Sequence, residues 1–484
     1  MSRRSAPVLD RGAVITTLVL IVGGLAVIFD STIISLALHT LSEELAVPVS
    51  TIQWVSTGYL LALGVAIPVV GWAQARLGGK RLWMIALAIF LLGSVASSLA
   101  WDAPSLIIFR VLQGIGGGLM LPLMATLAVQ QVPRGPELGR LMAMVSLPAA
   151  LGPILGPTIG GLILTWLDWR WLFWVNVPFC LAGLVLAAKF LPSDEPVGRP
   201  RLDWVGLLLV GPGLIGVLYG LSNVVQDGGF ARTDVWAPAF AGIALVAAFV
   251  VSQLRRPGDS LVDIGLLRRR SVASSSVVLF LSGAALYGAM LLLPLYFQVV
   301  RGTGALTAAL LLIPQGAGAL ASRTMAGKLT ATLGARATAV GGFALIGLAT
   351  IPFALVDAGT SQWWLLAVLL VRGFGTGAVM IPVMSVAYVG LAHDEVPHAS
   401  IITRLTQQIG GAFGTAILAV ILETAGATAE TAAEIARAFD VAFWWAVGFT
   451  VVAVAVSLVL PPLKSATHPA PAAQPEPEAA GEVG

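Results

Sequence analysis

Apolar and polar positions along the chain alternate in long blocks rather than within short elements. Apolar runs of about 18 residues or more recur from one end to the other, and a helix needs about 20 such residues to cross a bilayer. The blocks therefore predict fourteen membrane-spanning helices. Their expected positions are 12–39, 53–71, 82–100, 105–130, 141–165, 171–191, 204–223, 236–254, 272–299, 304–322, 338–357, 361–386, 400–422 and 440–461.

Composition agrees with this pattern and excludes a soluble enzyme. The 484 residues are 57% hydrophobic and 11% charged, whereas globular domains carry about 25% charged residues. The lone cysteine, Cys180, excludes an intrachain disulfide. No CxxC, HExxH or Walker-type phosphate motif occurs in the sequence. We therefore expect an all-α integral membrane protein that is not an enzyme, with no cofactor, no metal and no nucleic-acid partner.

Basic residues fix the expected orientation. Lys and Arg concentrate in the N-terminal segment and in the loops on its side of the membrane, while the opposite loops hold only Arg170, Arg232, Arg301 and Arg437. Cytoplasmic loops carry the excess of Lys and Arg in membrane proteins. Both termini are therefore expected in the cytoplasm, with the chain in the cytoplasmic (inner) membrane. We expect residues 1–11 to form a cytoplasmic segment without a signal peptide, and 462–484 to form a disordered tail.

Three landmarks recur along the chain at a nearly constant offset. GWAQARLGGKR from Gly71 recurs as GKLTATLGAR from Gly327, and RVLQGIGGG from Arg110 as RGFGTG from Arg372. The glycine-rich stretch at 152 finds an echo in GGAFG at 410, so that the three offsets lie between 256 and 262 residues. The repeat predicts two six-helix halves at 12–191 and 272–461. A linker at 192–271 then holds two inserted helices, and parallel repeats of this kind are typical of a transporter whose substrate site lies between them.

Among the charged residues that fall inside the expected helices, three stand out. Asp30 lies deep in helix 1, where a carboxylate costs about 3 kcal/mol on insertion scales. Such a group is either paired or functional, and a carboxylate can exchange a proton. Arg110 and Arg372 lie a few residues into helices 4 and 12. Since arginine stays protonated, we predict Asp30 and Arg110 as the proton-coupling pair, against the alternative that all three are structural.

The decapeptide GPILGPTIGG in helix 5 predicts a close and bendable helix contact. Its glycines recur every four residues on one face, which lets another helix approach, and its prolines remove backbone donors and kink the helix. The predicted gating residues are Gly152, Pro153, Gly156, Pro157, Gly160 and Gly161. The alternative is ordinary glycine packing with no part in the transport cycle.

The loop after helix 2 combines a tight turn with positive charge. The glycines permit the turn, and the basic residues are expected to face anionic lipid headgroups, which would also anchor the topology. The predicted motif residues are Gly71, Arg76, Gly78, Lys80 and Arg81.

These motifs together resemble the 14-helix drug:proton antiporter family of the major facilitator superfamily, over about residues 12–462. DSTIISLAL from Asp30 resembles its helix-1 motif, RVLQGIGGG its helix-4 arginine motif, and GPILGPTIGG its antiporter motif. QWVSTGYLLALGVAIPVVG and WRWLFWVNVP resemble its helix 2 and the beginning of its helix 6. The resemblance implies the major facilitator fold and proton-driven efflux of hydrophobic drugs.

Two departures from the family pattern bear on gating. The loop motif of the family carries Asp where this chain has Ala75, and the second copy has Ala331. The charge relay of that Asp should therefore be missing or rebuilt. The helix-1 motif of the family ends in Pro, whereas this chain has His39, which we interpret as a helix-end residue at the membrane interface.

The expected substrate is a lipophilic neutral or monocationic drug or antibiotic, because helix 12 lacks the further carboxylate that members handling divalent cations tend to have. An adaptable cavity is expected between the halves of a functional monomer. Its candidate lining residues are Tyr59, Gln113, Tyr287, Met290, Gln298 and Arg372, with Tyr296 and Phe297 as further aromatic candidates.

Three alternatives remain open at this point. An uptake symporter for a small metabolite is disfavoured by GPILGPTIGG, and export of one natural product is not separable from broad drug efflux. A membrane enzyme or sensor would need an acid/base or metal cluster, and HDEVPH from 393 to 398 is the nearest to one. We interpret that segment as a solvated cytoplasmic connection.

Overall fold

The computed structural model describes residues 11–130, 144, 152, 155–194, 202–223, 232–255, 263–355, 360–391 and 395–461. Within those residues the regular elements are all helical. Thirteen of these helices are long and apolar enough to cross a membrane. They are α1 Arg11–Glu44, α2 Val49–Ala66, α3 Gly79–Ser98, α4 Ala103–Val129, α6 Trp171–Phe190, α7 Trp204–Ser222, α8 Thr233–Arg255, α9 Arg270–Val300, α10 Ala305–Leu333, α11 Ala335–Ala354, α12 Gln362–Ala387, α13 Glu395–Gly426 and α14 Ala432–Ser457.

A short helix also covers Val69–Leu77. A shorter apolar helix, α5, is described from Leu155 to Trp166, and most of the early part of its expected span lies outside the described residues. Several helices extend beyond the apolar block that predicts them. Helix α1 continues to Glu44, and α10 continues through the polar stretch SRTMAGK to Leu333. A helix satisfies its own backbone hydrogen bonds, so it does not have to end where its apolar side chains end.

Packing within the first six helices is repeated in the last six. Helix α1 packs on α4 and α6, α3 packs on the same two helices, and α2 packs on α4. In the second half, α9 packs on α12 and α14, α11 packs on the same two, and α10 packs on α12. Each pair recurs eight helices later, which confirms the fold expected from the internal repeat. The exact boundaries at 191 and 272 stay predictions, with α6 ending at Phe190 and α9 beginning at Arg270.

The inserted helices α7 and α8 form a hairpin that packs closely on itself. A side chain at Gly216 would lie 3.2 Å from the Cα atom of Gly242, so small residues let the two backbones approach. Helix α7 also contacts both α2 and α13. Because α2 belongs to the first half and α13 to the second, the hairpin covers the seam between them.

Buried apolar residues are distributed differently at the two faces of the bundle. We call the face where α1 begins the near face and the face where it ends the far face. One cluster at the far face draws on both halves, including Leu38, Leu41, Leu295 and Phe353. Towards the near face the two halves have separate clusters, and the one in the first half takes in α13 from the second half, with Tyr287 of α9 packed against it. The bundle is therefore sealed across its far face.

Candidate functional site

The centre of the first half holds a buried charge network around Asp30. The Asp30 carboxylate is fully buried and accepts three hydrogen bonds from three side chains. Arg110 Nη1 donates to Oδ2 at 2.6 Å, while Gln113 Nε2 and Asn176 Nδ2 donate to Oδ1 at 2.9 and 3.0 Å. A buried ion pair is stable only if the remaining lone pairs are also satisfied. The two amides meet that requirement.

Arg110 joins three helices of the first half. Its side chain is 1% exposed, and its Nε donates to the carbonyl of Val55 on α2 at 3.1 Å. Nη1 also donates to Gln113 Oε1 at 2.6 Å, and the guanidinium lies over the ring of Tyr59 at 4.1 Å. An arginine can stack on an aromatic face while its donors bind elsewhere. Any change in the charge of Asp30 therefore acts directly on the contact between α1, α2 and α4.

Asn176 and Ser94 extend the network to α6 and α3. Asn176 Nδ2 donates to Ser94 Oγ at 3.1 Å, and Ser94 Oγ donates to the carbonyl of Phe173 at 2.9 Å. Sequence reasoning missed both residues and assigned Gln113 to the cavity rather than to Asp30. A signal was present, because an amide inside an apolar span is also costly to bury without hydrogen-bond partners, although less so than the carboxylate of Asp30.

The glycine stripe of α5 packs directly against the α1 segment that carries Asp30. A side chain at Gly152 would lie 2.8 Å from Ile28 Cγ2, one at Gly160 would lie 3.2 Å from Ile33 Cγ2, and one at Gly156 would overlap Thr32. Gly156 therefore has to be glycine for α1 to keep this position.

The other residues of the decapeptide have different surroundings. A side chain at Gly161 would lie 2.8 Å from the Cα atom of Leu306, so this glycine faces α10 of the second half. Pro157 is buried in α5, and Pro153 lies outside the described residues.

A narrow cavity lies between the halves next to this network. Its lining comes from α1, α2 and α4 on one side and from α9 and α13 on the other. The lining residues are Ser31, Ser35, Leu38, Ser56, Tyr59, Leu60, Arg110, Tyr287, Met290, Leu291 and Thr415. Three of the expected cavity residues are among them, namely Tyr59, Tyr287 and Met290. The first half contributes hydroxyls and a cation, and α9 contributes a tyrosine, a methionine and a leucine.

The other expected cavity residues lie elsewhere. Gln298 Nε2 donates to the carbonyl of Leu36 at 3.1 Å, so it joins α9 to α1 near the far face. Tyr296 and Phe297 pack into an aromatic cluster at that face, with ring centroids 5.5 Å apart. Gln113 is fully buried in the Asp30 network.

Arg372, also expected in the cavity, is the counterpart of Arg110 in the second half. It is 3% exposed and donates to Thr350 Oγ1 and Gln315 Oε1, both at 3.1 Å, and to the carbonyl of Ala285 at 3.5 Å. The ion pairs found among the described residues do not include it. The second half thus repeats the buried arginine with neutral acceptors in place of the carboxylate.

The two loop motifs have the same backbone turn. Gly78 and Gly334 both adopt positive φ, at 79° and 86°, with ψ at 157° in each. Residues other than glycine rarely adopt this conformation. The basic residue two positions later then binds a neighbouring helix end: Lys80 Nζ donates to the carbonyl of Leu191 at 2.8 Å, and Arg336 Nε to that of Leu460 at 2.6 Å.

These contacts differ from the expectation that all basic residues of the loop face lipid headgroups. Lys80 also donates to the carbonyl of Ala188 at 2.9 Å, so its side chain lies along the end of α6 instead of pointing freely to headgroups. Arg76 and Arg81 are exposed, and Arg76 lies over the Trp72 ring at 5.7 Å. Gly71 has open space where a side chain would be.

A carboxylate does meet the first loop, although position 75 is alanine. Asp194, just after α6, accepts the backbone N–H groups of Gly79 and Lys80 at 2.5 and 3.1 Å. The acidic partner is therefore rebuilt from another part of the chain, and it joins α3 to α6 within one half. His39 is partly exposed at the end of α1 and lies 3.4 Å from Glu43, as expected for a helix-end residue. Residues 393 and 394 of HDEVPH lie outside the described residues.

Comparison with known proteins agrees with the fold and with the motifs. Residues 20–415 match the model of the Major Facilitator Superfamily. The chain is 36% identical over 417 residues to the multidrug resistance protein B homolog of Mycobacterium tuberculosis, covering 86% of this chain and 77% of that protein. It is 30% identical over 414 residues to the lincomycin resistance protein LmrB of Listeria innocua, covering 85% and 87%.

Solved structures show the same fold at low sequence identity. A D-xylose–proton symporter superposes with a TM-score of 0.66 at 16% identity, covering 93% of this chain and 98% of that one. The nucleoside transporter NupG gives a TM-score of 0.67 at 10% identity, covering 92% and 99%. From the family match, the relatives and the helical architecture, this multi-pass membrane protein belongs to the Major Facilitator Superfamily of transporters.

Proposed function

We propose that this transporter exports lipophilic neutral or monocationic drugs or antibiotics across the cytoplasmic membrane in exchange for protons. The observation that carries the proposal is the position of Asp30. Its carboxylate is fully buried, is bonded to Arg110, and lies next to a cavity between the halves that Arg110 itself lines. Proton uptake by Asp30 therefore changes the surroundings of Arg110, which is part of the cavity lining.

The chemistry of the pair supports a proton-driven step. With Asp30 ionised, its charge and that of Arg110 cancel, and α1 is held to α4. Protonation of Asp30 removes its charge, and Arg110 cannot release a proton in compensation. A lone buried cation is costly, so the protonated state favours a rearrangement that gives Arg110 another partner or water. The link between proton uptake and helix movement then lies in one 2.6 Å contact.

The contact between α5 and α1 supports transmission of that movement. Gly156 lies against Thr32, two residues after Asp30, while Gly161 of the same helix faces α10 of the second half. A shift of α1 would therefore displace α5, which contacts both halves. Such a contact suits rocking between inward-open and outward-open states.

Interior charge supports the proposed substrate class. Asp30 and Arg110 cancel, and Arg372 has neutral acceptors only among the described residues. A dication would enter an interior with excess positive charge, whereas a neutral compound or a monocation meets a weaker barrier. The resistance named in two relatives, to multiple drugs and to lincomycin, points to the same class of compound.

Loop charge supports the orientation of the two faces. The excess of Lys and Arg on the near-face side supports a cytoplasmic position for both termini. The near face is then the inner face and the far face, which is sealed by a cluster from both halves, is the outer face. The structure would correspond to a state closed to the outside.

The test uses inside-out vesicles that are energised with a proton gradient. Lipophilic compounds, including lincomycin, ethidium as a monocation and dequalinium as a dication, are added, and substrate-induced proton release is recorded. We expect release with neutral or singly charged compounds, loss of release in Asp30→Asn, and normal release in Asp168→Asn, which removes an exposed carboxylate bound to Arg170.

Other outcomes would contradict parts of the proposal. Proton release by Asp30→Asn equal to that of the unchanged protein would show that another group carries the proton. Export of dequalinium would overturn the charge limit. Proton movement in the same direction as the compound would support uptake, and release with a single natural product alone would support a narrow exporter.

A further inference from the structure

Glu423 makes a hydrogen bond that joins the two halves at the far face. Its Oε2 accepts the backbone N–H of Ser50 at 2.9 Å. Ser50 lies in the first turn of α2, in the first half, and Glu423 lies near the end of α13, in the second half. Neither residue is part of the Asp30 network or of the cavity lining.

The contact is a charged cap on a helix that has no local one. The residue before α2 is Pro48, which supplies no side-chain hydrogen bond to the first turn. The first N–H groups of a helix have no partner within it, and they favour a nearby negative charge. Glu423 supplies that charge from the opposite half, so α2 is satisfied at this end only while the halves are together.

A second bond crosses the same face but cannot change its charge. Gln298 on α9 donates to the carbonyl of Leu36 on α1 at 3.1 Å. Both bonds surround the cluster that seals the far face. Glu423 is half-buried, so water, and therefore protons, can reach its carboxylate from that side.

Most charged groups on neighbouring elements have partners of their own, and on α14 the charges of Asp440 and Arg437 lie near each other. Helix α2 presents no acidic or basic side chain between Val49 and Ala66. The groups on the other elements at this face have partners of their own: His39 with Glu43 at the end of α1, Arg301 with the carbonyl of Thr360 after α9, Glu434 with the backbone of Glu430 and Thr431 before α14, and Arg232 with Asp234 before α8. Arg437 is exposed on α14. The ion pairs among the described residues do not include Glu423.

We propose that Glu423 is a positioning residue of the transport cycle that holds the outer face closed while it is ionised and releases it when protonated from outside. Protonation turns a charge-assisted hydrogen bond into a neutral one of about half the strength. The first turn of α2 then loses its charged cap, and the equilibrium shifts toward separation of the halves at that face. The direction of this control rests on the proposed function, which makes the far face the outer face.

This arrangement gives the two carboxylates different tasks. Glu423 responds to protons at the outer surface before the pathway opens, and Asp30 receives a proton only after it. Acidification of the outer surface thus also favours the state that releases substrate outward.

The experiment measures opening of the outer face without any substrate. Cys180 is the only cysteine, so Cys180→Ala gives a background free of thiols, and Leu38→Cys places a reporter in the cavity lining near the far face. Intact cells are labelled with a membrane-impermeant thiol reagent at neutral and at acidic outer pH. Rates are divided by those of Trp363→Cys, whose site is 81% exposed at the same face, to remove the effect of pH on thiol reactivity.

We expect labelling of the reporter to be slow at neutral pH and faster on acidification. Glu423→Gln should raise the neutral-pH rate by up to about tenfold, because its neutral amide oxygen accepts a weaker hydrogen bond than the carboxylate, and should abolish the pH dependence. Glu430→Gln, an exposed neighbour, should leave both unchanged. Thermal unfolding of each purified variant checks that the fold is kept.

Equal labelling of Glu423→Gln and its parent at neutral pH, or a retained pH response in Glu423→Gln, would overturn the proposal. A second variant, Glu423→Asp, keeps the charge but shortens its reach, and it should label faster at neutral pH while still responding to acid. Because labelling needs neither substrate nor a proton gradient, failure of drug efflux would leave this readout intact. The two proposals therefore fail separately.

Discussion

Two arginines are buried among the described residues, on the equivalent helices α4 and α12, and they meet different partners. Arg110 binds a carboxylate that two amides also satisfy. Arg372 binds an amide oxygen, a hydroxyl and a carbonyl. The same structural task, bridging helices at the centre of a six-helix half, is thus done once with a titratable partner and once without. Among the described residues, a carboxylate partner is therefore found for the arginine of one half, and the packing role is common to both.

The largest expected effect of this difference is on stability. Arg110→Ala leaves the Asp30 carboxylate buried without its counter-ion and should lower the free energy of unfolding by about 3–5 kcal/mol. Arg372→Ala leaves only neutral acceptors unmet and should cost about 1–3 kcal/mol. Thermal or denaturant unfolding in detergent measures both.

A double variant checks the origin of that difference. Asp30→Asn combined with Arg110→Gln removes both charges, so it should recover most of the stability lost in Arg110→Ala while remaining inactive in transport. Equal losses in the two arginine variants would mean that the charge of Asp30 is not what distinguishes the halves.

The next effect concerns the contact of α5 with α1. Gly156→Ala puts a methyl group onto Thr32 and should cost about 1–3 kcal/mol through overpacking, with most of the transport rate lost. In Gly160→Ala the added methyl group would lie 3.2 Å from Ile33 Cγ2, so this substitution should be tolerated with a small shift of the Ile33 side chain. Gly71→Ala, which meets nothing within 4 Å, serves as the control. Normal drug export by Gly156→Ala would show that the stripe has no part in the cycle.

A smaller effect should follow from making the second arginine site resemble the first. Gln315→Glu places a carboxylate on Arg372 Nη1, which is 3.1 Å from Gln315 Oε1. The new carboxylate then cancels the positive charge of Arg372. The preference of the transporter for cations over neutral compounds should rise roughly tenfold, because two unit charges about 10 Å apart interact by about 1–2 kcal/mol. The ratio of KM values for ethidium and a neutral compound reports this. An unchanged ratio would show that Arg372 does not act on the substrate.

The loops allow a finer comparison. Asp194→Asn removes the charge that holds the backbone of Gly79 and Lys80, and should cost about 1 kcal/mol, as for a helix N-cap. The second loop has its basic residue, Arg336, on a helix end as well, so Arg336→Gln should have a similar small cost. Midpoints of thermal unfolding would be measured side by side, and a loss of more than a few degrees in one variant alone would break the equivalence of the loops.

The smallest effect concerns the starts of α4 and α12. Asp102 caps α4 in a capping box with Ser105, whereas Ser361 makes no such side-chain bond at α12. The side chain and backbone N–H of Ser105 hold the pKa of Asp102 below its ordinary value. The cap is therefore formed at neutral pH, and its contribution is lost as the pH falls through this lowered pKa.

Unfolding midpoints of the unchanged protein and of Asp102→Ala should consequently differ slightly near neutrality. The difference should shrink below about pH 4, where an aspartate begins to be protonated. Ser361→Ala should show no such pH dependence. A difference for Asp102→Ala that persists at low pH would mean that the carboxylate charge contributes nothing to the cap.

Much of the fold could be predicted from the sequence because membrane helices show themselves as apolar blocks. The repeat was visible in glycine and arginine landmarks, and the charges of Asp30 and Arg110 singled them out without any partner being known. The pairing of the two also agrees with prediction, although their functional roles stay predictions. The apolar blocks, the repeat and the charges inside the blocks depend on the positions of residue types along the chain, which the sequence gives directly.

Other contacts could not be read in advance because their partners are far apart in sequence. Glu423 lies 373 positions from Ser50, and Asp194 lies 115 from Gly79. Both carboxylates fall at the edge of an apolar block, where acidic residues are common and carry no signal. Asn176 was detectable in principle, but its partner was not. Gln298 does not line the cavity between the halves, and the sequence YFQ at 296–298 does not distinguish a cavity wall from a seal.

The seal at the far face has a thermal consequence. Tyr296, Phe297, Phe353, Phe439 and Phe443 stack there with centroids 5.4 to 6.3 Å apart inside a cluster drawn from both halves. Opening that face wets apolar surface, which gives the transition a positive heat-capacity change. Hydrophobic attraction weakens on cooling. Cold should therefore shift the resting population toward a form that is open at the far face, and the temperature dependence of transport should curve instead of following a straight Arrhenius line.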